Sequence, residues 1–218
     1  MTTEPTEFPA SGLLTDLYQI TMAQGYYRCG MAEHEAVFHL TFRNLPFGGG
    51  FALACGLDSV VDFLSRWHFT EDDIAYLRSL QGNDGKPLFH GDFLAYLITL
   101  SFACDVDAIA EGTPVFGHEP LIRIRGPIIQ CQLLETPLLA MLNFQTLIAT
   151  KAARIALAAE GDPVIEFGFR RSQGLNGSLA AARASYIGGC VGTSNVFAGR
   201  TYGIPVLGTH AHSWVMAF

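Results

Sequence analysis

The stretch of sequence that decides the fold is VIEFGFRRSQGLNGSLAAARASYIGGCVGTSNVFAGRTYGIPVLGTHAHS, residues 164–213. Its three short apolar runs predict strands, at 164–169, 189–192 and 204–207. The segments between them predict helices, at 177–187 and 195–202. Alternation of strand and helix about every 20 residues is typical of parallel βα units. This part of the chain is therefore expected to form a parallel sheet covered by helices.

Polar side chains follow each of the three predicted strands. They are Arg170 and Arg171 after the first strand, Thr193 and Ser194 after the second, and His210, His212 and Ser213 after the third. Ligands of parallel α/β proteins bind where the carboxyl ends of the strands meet, so we expect these side chains to share one site. Guanidinium and hydroxyl groups suit a phosphate or carboxylate ligand, and a histidine can act there as acid, base or nucleophile.

Each cluster also has a purely structural explanation. The arginines could pair with Glu166 or Glu160, and the residues from 193 to 195 could cap the helix that follows. A metal site at the two histidines would need a third ligand, and no suitably spaced cysteine or acid lies nearby. Structural roles explain a single polar cluster more easily than three clusters after three successive strands. Together, the clusters therefore favour a binding site without a metal.

The chain before this stretch predicts a mixed α/β region without regular alternation. Predicted helices lie at 13–27 (capped by Thr15 or Asp16), at 57–67, from Thr70 onwards and at 91–100, and a half-buried strand lies at 36–42. The segment 122–134 predicts extended structure with a break at Gly126-Pro127, and 137–160 predicts a long Ala-rich helix. These patterns divide the chain into a leader (1–12), an α/β N-terminal domain (13–115) and part of an α/β barrel domain (116–218). Residues after 110 supply about four of the eight strands of a closed barrel, so the C-terminal half of the barrel is missing.

Composition excludes several classes of protein. Half of the 218 residues are apolar and 15% are charged, which is too apolar for a disordered chain. No stretch approaches the ~18 uncharged apolar residues of a membrane span, and a net charge of −7 argues against nucleic-acid binding. The acidic start MTTEPTEFPA is unlike a signal peptide, so we expect a cytoplasmic protein. Five scattered cysteines without a CxxC pair predict neither a disulfide framework nor a zinc site.

Five ordered motifs resemble those of nicotinate phosphoribosyltransferases. They are LLTDLYQITMAQGYY (13–27), FRNLPFGGGFALACGL (42–57), EFGFRRSQG (166–174), GGCVGTSNVFAG (188–199) and IPVLGTHAHSWV (204–215). The resemblance implies a type II phosphoribosyltransferase fold, an α/β N-terminal domain beside an irregular (β/α) barrel. It also implies a reaction in which nicotinate and 5-phosphoribosyl-1-pyrophosphate (PRPP) give nicotinate mononucleotide and pyrophosphate. This reaction would be coupled to ATP hydrolysis and would belong to NAD salvage. Mg²⁺ would accompany PRPP and ATP, and the enzyme would be a homodimer with shared active sites.

The resemblance gives roles to single residues. Tyr18 matches a tyrosine that stacks on the pyridine ring from the neighbouring subunit, and Phe167 matches the aromatic residue on the other side of the ring. Arg170 and Arg171 look like arginines near the substrate carboxylate and phosphate. Thr193, Ser194 and Ser213 are expected to contact substrate as well. His212 matches a histidine that ATP phosphorylates, whereas His210 is the less suitable nucleophile.

Four other functions are considered. A nicotinamide phosphoribosyltransferase is disfavoured because those enzymes carry an aspartate where this chain has Ser194, and an aspartate would repel a carboxylate substrate. A quinolinate enzyme is disfavoured by the GTHAHS motif, and a metal hydrolase by the missing ligand cluster. A truncated, non-catalytic binding or dimerisation module remains open. The chain is shorter than family chains, and a parallel sheet cut short would expose strand edges, so we do not expect it to be active alone.

Overall fold

The structure is a computed structural model that describes residues 10–218. The elements of the first part are α1 (Leu17–Arg28), β1 (Glu35–Thr41), β2 (Ala52–Leu53), α2 (Leu57–Arg66), α3 (Glu71–Ser79), α4 (Gly91–Leu97), β3 (Asp105–Ala108), β4 (Pro114–Val115) and β5 (Pro120–Pro127). The elements of the second part are α5 (Ile128–Ala158), β6 (Ile165–Glu166), α6 (Gly174–Ile187), β7 (Gly192–Thr193), α7 (Val196–Tyr202) and α8 (His212–Met216). Strand and helix thus alternate in the second part, as its sequence predicts.

The predicted leader is only partly described. Residues 1–9 lie outside the described residues, but residues 10–12 are held on the N-terminal part of the fold. The Gly12 N–H donates to the carbonyl of His68 at 2.7 Å, and the His68 N–H donates to the carbonyl of Ala10 at 3.2 Å. The leader over residues 1–12 stays a prediction, although its last three residues are held on the N-terminal part by these hydrogen bonds.

An antiparallel sheet organises the first part, with β5 in the middle between β1 and β3. The half-buried strand predicted at 36–42 is confirmed, because exposed and partly buried side chains alternate along β1. Phe38 and Leu40 pack against the core on the inner face. On the outer face, Arg125 of β5 pairs with Glu35 of β1 at 2.9 Å. The alternation of β1 therefore fixes which side of the sheet faces the core.

The main core lies between the inner face of this sheet, helices α1 to α4 and the first half of α5. Val60 of α2, Phe93 of α4, Ile122 of β5 and Leu133 of α5 are all buried in it. Burying an apolar side chain of this size stabilises a fold by roughly 1.5–3 kcal/mol. The first part of the chain therefore shares one continuous core with the first half of α5.

Helix α3 begins with a capping box, as Thr70 and the acidic residues after it predict. The Thr70 hydroxyl accepts from the Asp73 N–H at 3.1 Å, and the Asp73 carboxylate accepts from the Thr70 N–H at 2.9 Å. We expect Thr70→Ala to lower the free energy of unfolding by about 1 kcal/mol, because the Asp73 N–H loses the hydroxyl that accepts from it. Urea unfolding measures the loss. The control is Thr99→Ala, which removes an exposed hydroxyl that caps no helix start; equal losses in both variants would contradict the role of the cap.

Helix α5 begins earlier than its sequence predicts. The prediction of extended structure to residue 134 and of a helix only from residue 137 is wrong, because β5 ends at Pro127 and α5 follows it directly. Pro137 lies inside α5 rather than at its start. A proline inside a helix removes one backbone donor and clashes with the preceding turn, so it usually marks a helix start or a break. Here the helix continues through it.

Two buried glutamines explain why the start of α5 resembles a strand in the sequence. Gln130 and Gln132 alternate with apolar residues, a period-two pattern that is typical of a strand with one polar face. Both side chains are buried instead. The Gln130 side-chain oxygen accepts from the Ala103 N–H at 2.9 Å, and the Gln132 amide donates to Gln19 of α1. Partners that are distant in sequence thus satisfy polar groups that the pattern assigns to solvent.

Helix α5 also connects the two parts of the chain. Thr150 accepts from the Leu53 N–H of β2 at 2.8 Å, and Thr146 accepts from the Cys55 N–H at 3.2 Å. Between these two threonines, Ala149 packs in a small core with Leu53, Cys55 and Ala184 of α6. The same stretch of the helix is therefore anchored both on the N-terminal part and on the parallel units.

The division into domains at residue 115 stays a prediction, and the sheet argues for a later position. The strand β5 follows that boundary, yet it is hydrogen-bonded to β1 and β3 of the first part. A boundary at residue 115 would separate the middle strand from its two neighbours. We propose that the division lies within α5, where the packing changes from the N-terminal core to α6.

The five cysteines are free, and three of them, Cys55, Cys131 and Cys190, are buried. Burial raises the pKa of the Cys55 thiol to about 12, so this thiol stays protonated at neutral pH. Within residues 10–218, no helix combines the length and the apolar character needed to cross a bilayer.

Candidate functional site

The three strands predicted in the second part lie side by side. β6 and β7 are paired in parallel, with Glu166 opposite Thr193. The chain at 204–207 continues the same sheet, because the Thr193 N–H donates to the carbonyl of Pro205 at 3.0 Å and its carbonyl accepts from the Leu207 N–H at 3.0 Å. The strands are shorter than predicted, but their carboxyl ends do meet at one edge of the sheet. The loops that begin there carry the expected site residues.

The first of these loops turns sharply because Glu166 holds it. The Glu166 carboxylate accepts a short hydrogen bond from the Gly168 N–H, and a single 3₁₀ turn then runs over Phe169–Arg171. The strand predicted over 164–169 therefore ends at residue 166. The Phe167 ring is 48% exposed, so one part of it remains open to a ligand.

The two arginines of this loop are available to an anion. Arg170 and Arg171 are exposed, and neither guanidinium has an ion-pair or hydrogen-bond partner among residues 10–218. The alternative in which they pair with Glu166 or Glu160 is not formed. Unpaired guanidinium groups at the end of a strand can bind a carboxylate or a phosphate in a bidentate manner.

The second loop places Thr193 and Ser194 in different surroundings. Thr193 is fully buried; its hydroxyl donates to the Glu166 carboxylate at 2.6 Å and accepts from the Asn195 N–H at 3.0 Å. Direct contact between Thr193 and substrate stays a prediction; in the structure its hydroxyl is engaged by Glu166 and Asn195 beneath the surface. Ser194 is half-buried, and its hydroxyl has no partner in the part of the chain that the structure describes.

Asn195 connects the second loop to two helices. Its side-chain oxygen accepts from the Ala198 N–H at 3.1 Å and so caps α7, as the structural alternative predicts. Its amide group donates to the Ser178 hydroxyl of α6 at 3.3 Å. Sequence reasoning missed Glu166 and Ser178 as parts of this network, although Glu166 lies within a motif that it singled out.

The third loop is open. His210, His212 and Ser213 are all exposed, and α8 begins at His212. Neither imidazole has a hydrogen-bond partner within residues 10–218. Both histidines therefore lie in the open loop that follows the strand segment at 204–207, and the His212 ring is exposed to solvent.

Tyr18 belongs to a different part of the molecule. It lies on α1, which packs against α5 and α4, whereas β6 and β7 pack against α6 and α7. Its ring is 51% exposed, and its hydroxyl accepts from the Gln19 side chain at 2.9 Å. The structure thus groups the strand-end residues on one set of elements and carries Tyr18 on another.

A largely buried ion pair fixes α6 to the N-terminal part, and sequence reasoning missed it. Arg183 of α6 donates to both carboxylate oxygens of Glu111, at 2.9 and 2.6 Å, and Glu111 also accepts from the Gly56 N–H at 2.6 Å. Burial on its own raises the pKa of Glu111, but the hydrogen bonds from Arg183 and Gly56 outweigh it and hold that pKa below its ordinary value. The only sequence signal is an isolated charge in an Ala-rich helix.

Two other features do not contribute a site. A shallow depression of about 310 Å³ lies on the outer face of the antiparallel sheet, beside His39 and the Asp107–Arg123 ion pair. None of the residues that line it belongs to the parallel strands or to the loops that follow them. Among the described residues, no group of three or more histidine, cysteine, aspartate or glutamate side chains is arranged to hold a metal ion.

Both parts of the chain match profiles of the same protein family. The profile of the nicotinate phosphoribosyltransferase N-terminal domain matches residues 13–143, and the profile of the nicotinate phosphoribosyltransferase family matches residues 163–218. Nicotinate phosphoribosyltransferase pncB2 of Mycobacterium tuberculosis is 46% identical over 206 residues, which cover 94% of this chain and 43% of that protein. The Homo sapiens nicotinate phosphoribosyltransferase is 45% identical over 96% of this chain and 38% of its own length.

Solved structures confirm the predicted fold class. The crystal structure of human nicotinic acid phosphoribosyltransferase superposes with a TM-score of 0.84 at 45% identity, covering 94% of this chain and 40% of that one. The nicotinate-nucleotide pyrophosphorylase of Pyrococcus furiosus superposes with a TM-score of 0.72 at 26% identity, covering 94% and 43%. The fold is thus the N-terminal α/β part and the first part of the irregular barrel of a type II phosphoribosyltransferase. The chain spans about 40% of the length of these relatives.

Proposed function

Because the chain belongs to the nicotinate phosphoribosyltransferase family, we propose that the protein converts nicotinate and PRPP into nicotinate mononucleotide and pyrophosphate. Turnover is expected of a protein with the complete barrel, whereas binding of nicotinate and transfer of phosphate to His212 use residues that these 218 residues carry. The reaction is coupled to ATP hydrolysis and serves NAD salvage in the cytoplasm. One observation supports the proposal most: the unpaired Arg170 and Arg171, the open Ser194 hydroxyl and the open His212 ring all follow parallel strands that end at the same edge.

The pyridine ring of nicotinate is proposed to lie against Phe167. The exposed part of that ring offers a flat apolar surface, and stacking of this kind contributes about 0.5–1.5 kcal/mol beyond the buried area. Tyr18 would stack on the opposite side from a second copy of the chain, which makes the protein a homodimer with shared active sites. The exposure of both rings supports this arrangement.

The anionic groups of the substrates are proposed to bind the two arginines. Arg170 and Arg171 donate to the nicotinate carboxylate and to a phosphate, while the open hydroxyls of Ser194 and Ser213 supply neutral donors. Cleavage of the bond between C1 of the ribose and pyrophosphate leaves positive charge on the sugar and negative charge on the leaving group. Mg²⁺ would supply neutralisation of the phosphate charge when it is bound to PRPP and ATP.

His212 is proposed to receive the γ-phosphoryl group of ATP. A ring nitrogen attacks the γ-phosphorus, a nitrogen–phosphorus bond forms, and the bond to the β-phosphate oxygen breaks so that ADP leaves. Water later cleaves the phosphohistidine and releases phosphate, which completes the hydrolysis of one ATP in each cycle. The exposure of His212 at the start of α8 supports access of ATP to the ring.

Ser194 is proposed to select the acid over the amide. We expect Ser194→Asp to weaken nicotinate binding at least about tenfold and to improve nicotinamide binding. A carboxylate a few ångströms away repels the nicotinate carboxylate by about 1–4 kcal/mol but accepts hydrogen bonds from an amide. Isothermal titration of the purified protein with each pyridine measures both affinities.

The matched control for this charge change is Ser79→Asp. Ser79 is an exposed residue at the end of α3, on the surface of the N-terminal part of the chain. We expect it to leave both affinities at their original values. Wild-type preference for nicotinamide, or unchanged nicotinate binding in Ser194→Asp, would overturn the assignment. Wild-type protein that is folded but binds none of the substrates would favour the non-catalytic module instead.

A further inference from the structure

The Glu166 carboxylate connects the ends of two parallel strands. We propose that Glu166 is the positioning residue that holds Phe167 and Ser194 at a fixed separation for the pyridine ring. The inference rests on the proposed function, and it assigns a role to a side chain that touches no substrate itself. Thr193 is its partner in this role.

Glu166 contacts both loops through three of its atoms. One carboxylate oxygen accepts from the Gly168 N–H, the other accepts from the Thr193 hydroxyl at 2.6 Å, and the backbone carbonyl accepts from the Ser194 N–H at 3.0 Å. Phe167 lies between two residues, Glu166 and Gly168, that this carboxylate links to each other. The backbone that carries the aromatic ring is therefore held at both ends.

Ser194 is held in a corresponding way. Thr193 before it is bonded to Glu166, and Asn195 after it donates its N–H to the Thr193 hydroxyl at 3.0 Å. Asn195 is itself anchored on Ser178 of α6. A chain of hydrogen bonds thus runs from the Phe167 loop through Glu166 and Thr193 to the Ser194 loop. The distance between the two pyridine contacts depends on it.

The arrangement needs a carboxylate of this length. Both groups that approach it, an N–H and a hydroxyl, are donors in these bonds, and an ionised carboxylate offers an acceptor to each. A glutamine has only one side-chain oxygen, and its NH₂ group would face one of the donors. A Cβ added at Gly168 would lie 3.0 Å from the Glu166 oxygen, so the glycine leaves room for the contact. Thr193 is fully buried, so water cannot take the place of the lost bond.

The test compares three variants of the full chain by titration with nicotinate. We expect Glu166→Gln and Thr193→Val to weaken nicotinate binding at least tenfold, because each breaks the connection between the loops. Thr193→Ser keeps the hydroxyl and is expected to bind within threefold of wild type. Transfer of phosphate from ATP to His212 is expected to stay unchanged in all three, because within residues 10–218 neither the Glu166 carboxylate nor the Thr193 hydroxyl is hydrogen-bonded to the third loop.

Amide hydrogen exchange and a control variant complete the test. The Gly168 N–H is expected to exchange at least tenfold faster in Glu166→Gln than in wild type. The control is Glu119→Gln, which removes a carboxylate that also accepts from a backbone N–H, that of Phe116 at 3.0 Å. Glu119 lies in an exposed loop, far from the parallel strands in the sequence. This variant should change neither nicotinate binding nor the exchange of the Gly168 N–H. Wild type that fails to bind nicotinate would contradict the proposed function. Wild type that binds while Glu166→Gln binds equally well, or Thr193→Ser that loses as much as Thr193→Val, would overturn the positioning role alone.

Discussion

Replacing His212 with alanine is expected to abolish the transfer of phosphate from γ-labelled ATP to the protein. The imidazole is the group that would form the nitrogen–phosphorus bond, and alanine leaves no nucleophile in its place. His212 is exposed at the start of α8, so its removal should cost little stability. Phosphate incorporation is measured by scintillation counting of the protein after acid-free denaturation, since phosphohistidine is labile in acid.

The control for this prediction is His210→Ala. His210 lies two residues earlier in the same exposed loop, so the variant removes an imidazole from the same surroundings. It is expected to keep most of the label. Undiminished labelling of His212→Ala, or loss of label only in His210→Ala, would assign the nucleophile to another residue.

The second large effect concerns stability. We expect Arg183→Met to lower the free energy of unfolding by about 3 kcal/mol, because it leaves the Glu111 carboxylate largely buried without its charge partner. The side chains of Arg183 and Glu111 are only 19% and 17% exposed, so solvent screens the pair weakly. The double variant Glu111→Gln, Arg183→Met removes both charges and is expected to recover at least about 1 kcal/mol of the loss. Urea unfolding at neutral pH measures all three proteins.

The same pair predicts a pH dependence. The pKa of Glu111 is lowered in the folded protein from its ordinary value of 4.5, so the unfolded chain binds the proton more readily. The stability that the pair contributes is present above pH 4.5 and is lost as the pH falls through the folded-state pKa. Wild type should therefore lose more stability on acidification than the double variant does. A constant difference between the two proteins from neutral pH to below the ordinary pKa would contradict the ion pair.

Local patterns predict those elements that short-range chemistry determines. Thr70 with its acidic followers predicts the start of α3, and the alternation in β1 predicts its buried face. The alternation of strand and helix after residue 160 predicts the parallel order of β6, β7 and the chain at 204–207, and with it the shared edge. Each of these features depends on residues within one or two turns or on the general rule for parallel units.

Long-range contacts determine what the sequence did not predict. Gln132 can be buried because the side-chain oxygen of Gln19, 113 residues earlier, accepts a hydrogen bond from its amide group. The place of β5 in the N-terminal sheet depends on its pairing with β1, which lies some 90 residues before it, as the Arg125–Glu35 contact shows. In the site, the residue types at the strand ends were predicted, but the burial of Thr193 and the link through Glu166 follow from the packing of two loops. Single-sequence patterns carry no signal for such pairs.

The most direct test of the proposed function is the choice among three pyridines by the wild-type protein. Nicotinate, nicotinamide and quinolinate are titrated separately by isothermal calorimetry, without PRPP and ATP, so that the heat reports binding and not turnover. The proposed function predicts that nicotinate binds at least about tenfold more tightly than the other two, since Ser194 and the arginines accommodate one carboxylate. Tighter binding of nicotinamide or quinolinate, or no binding of any pyridine to the folded protein, would contradict it.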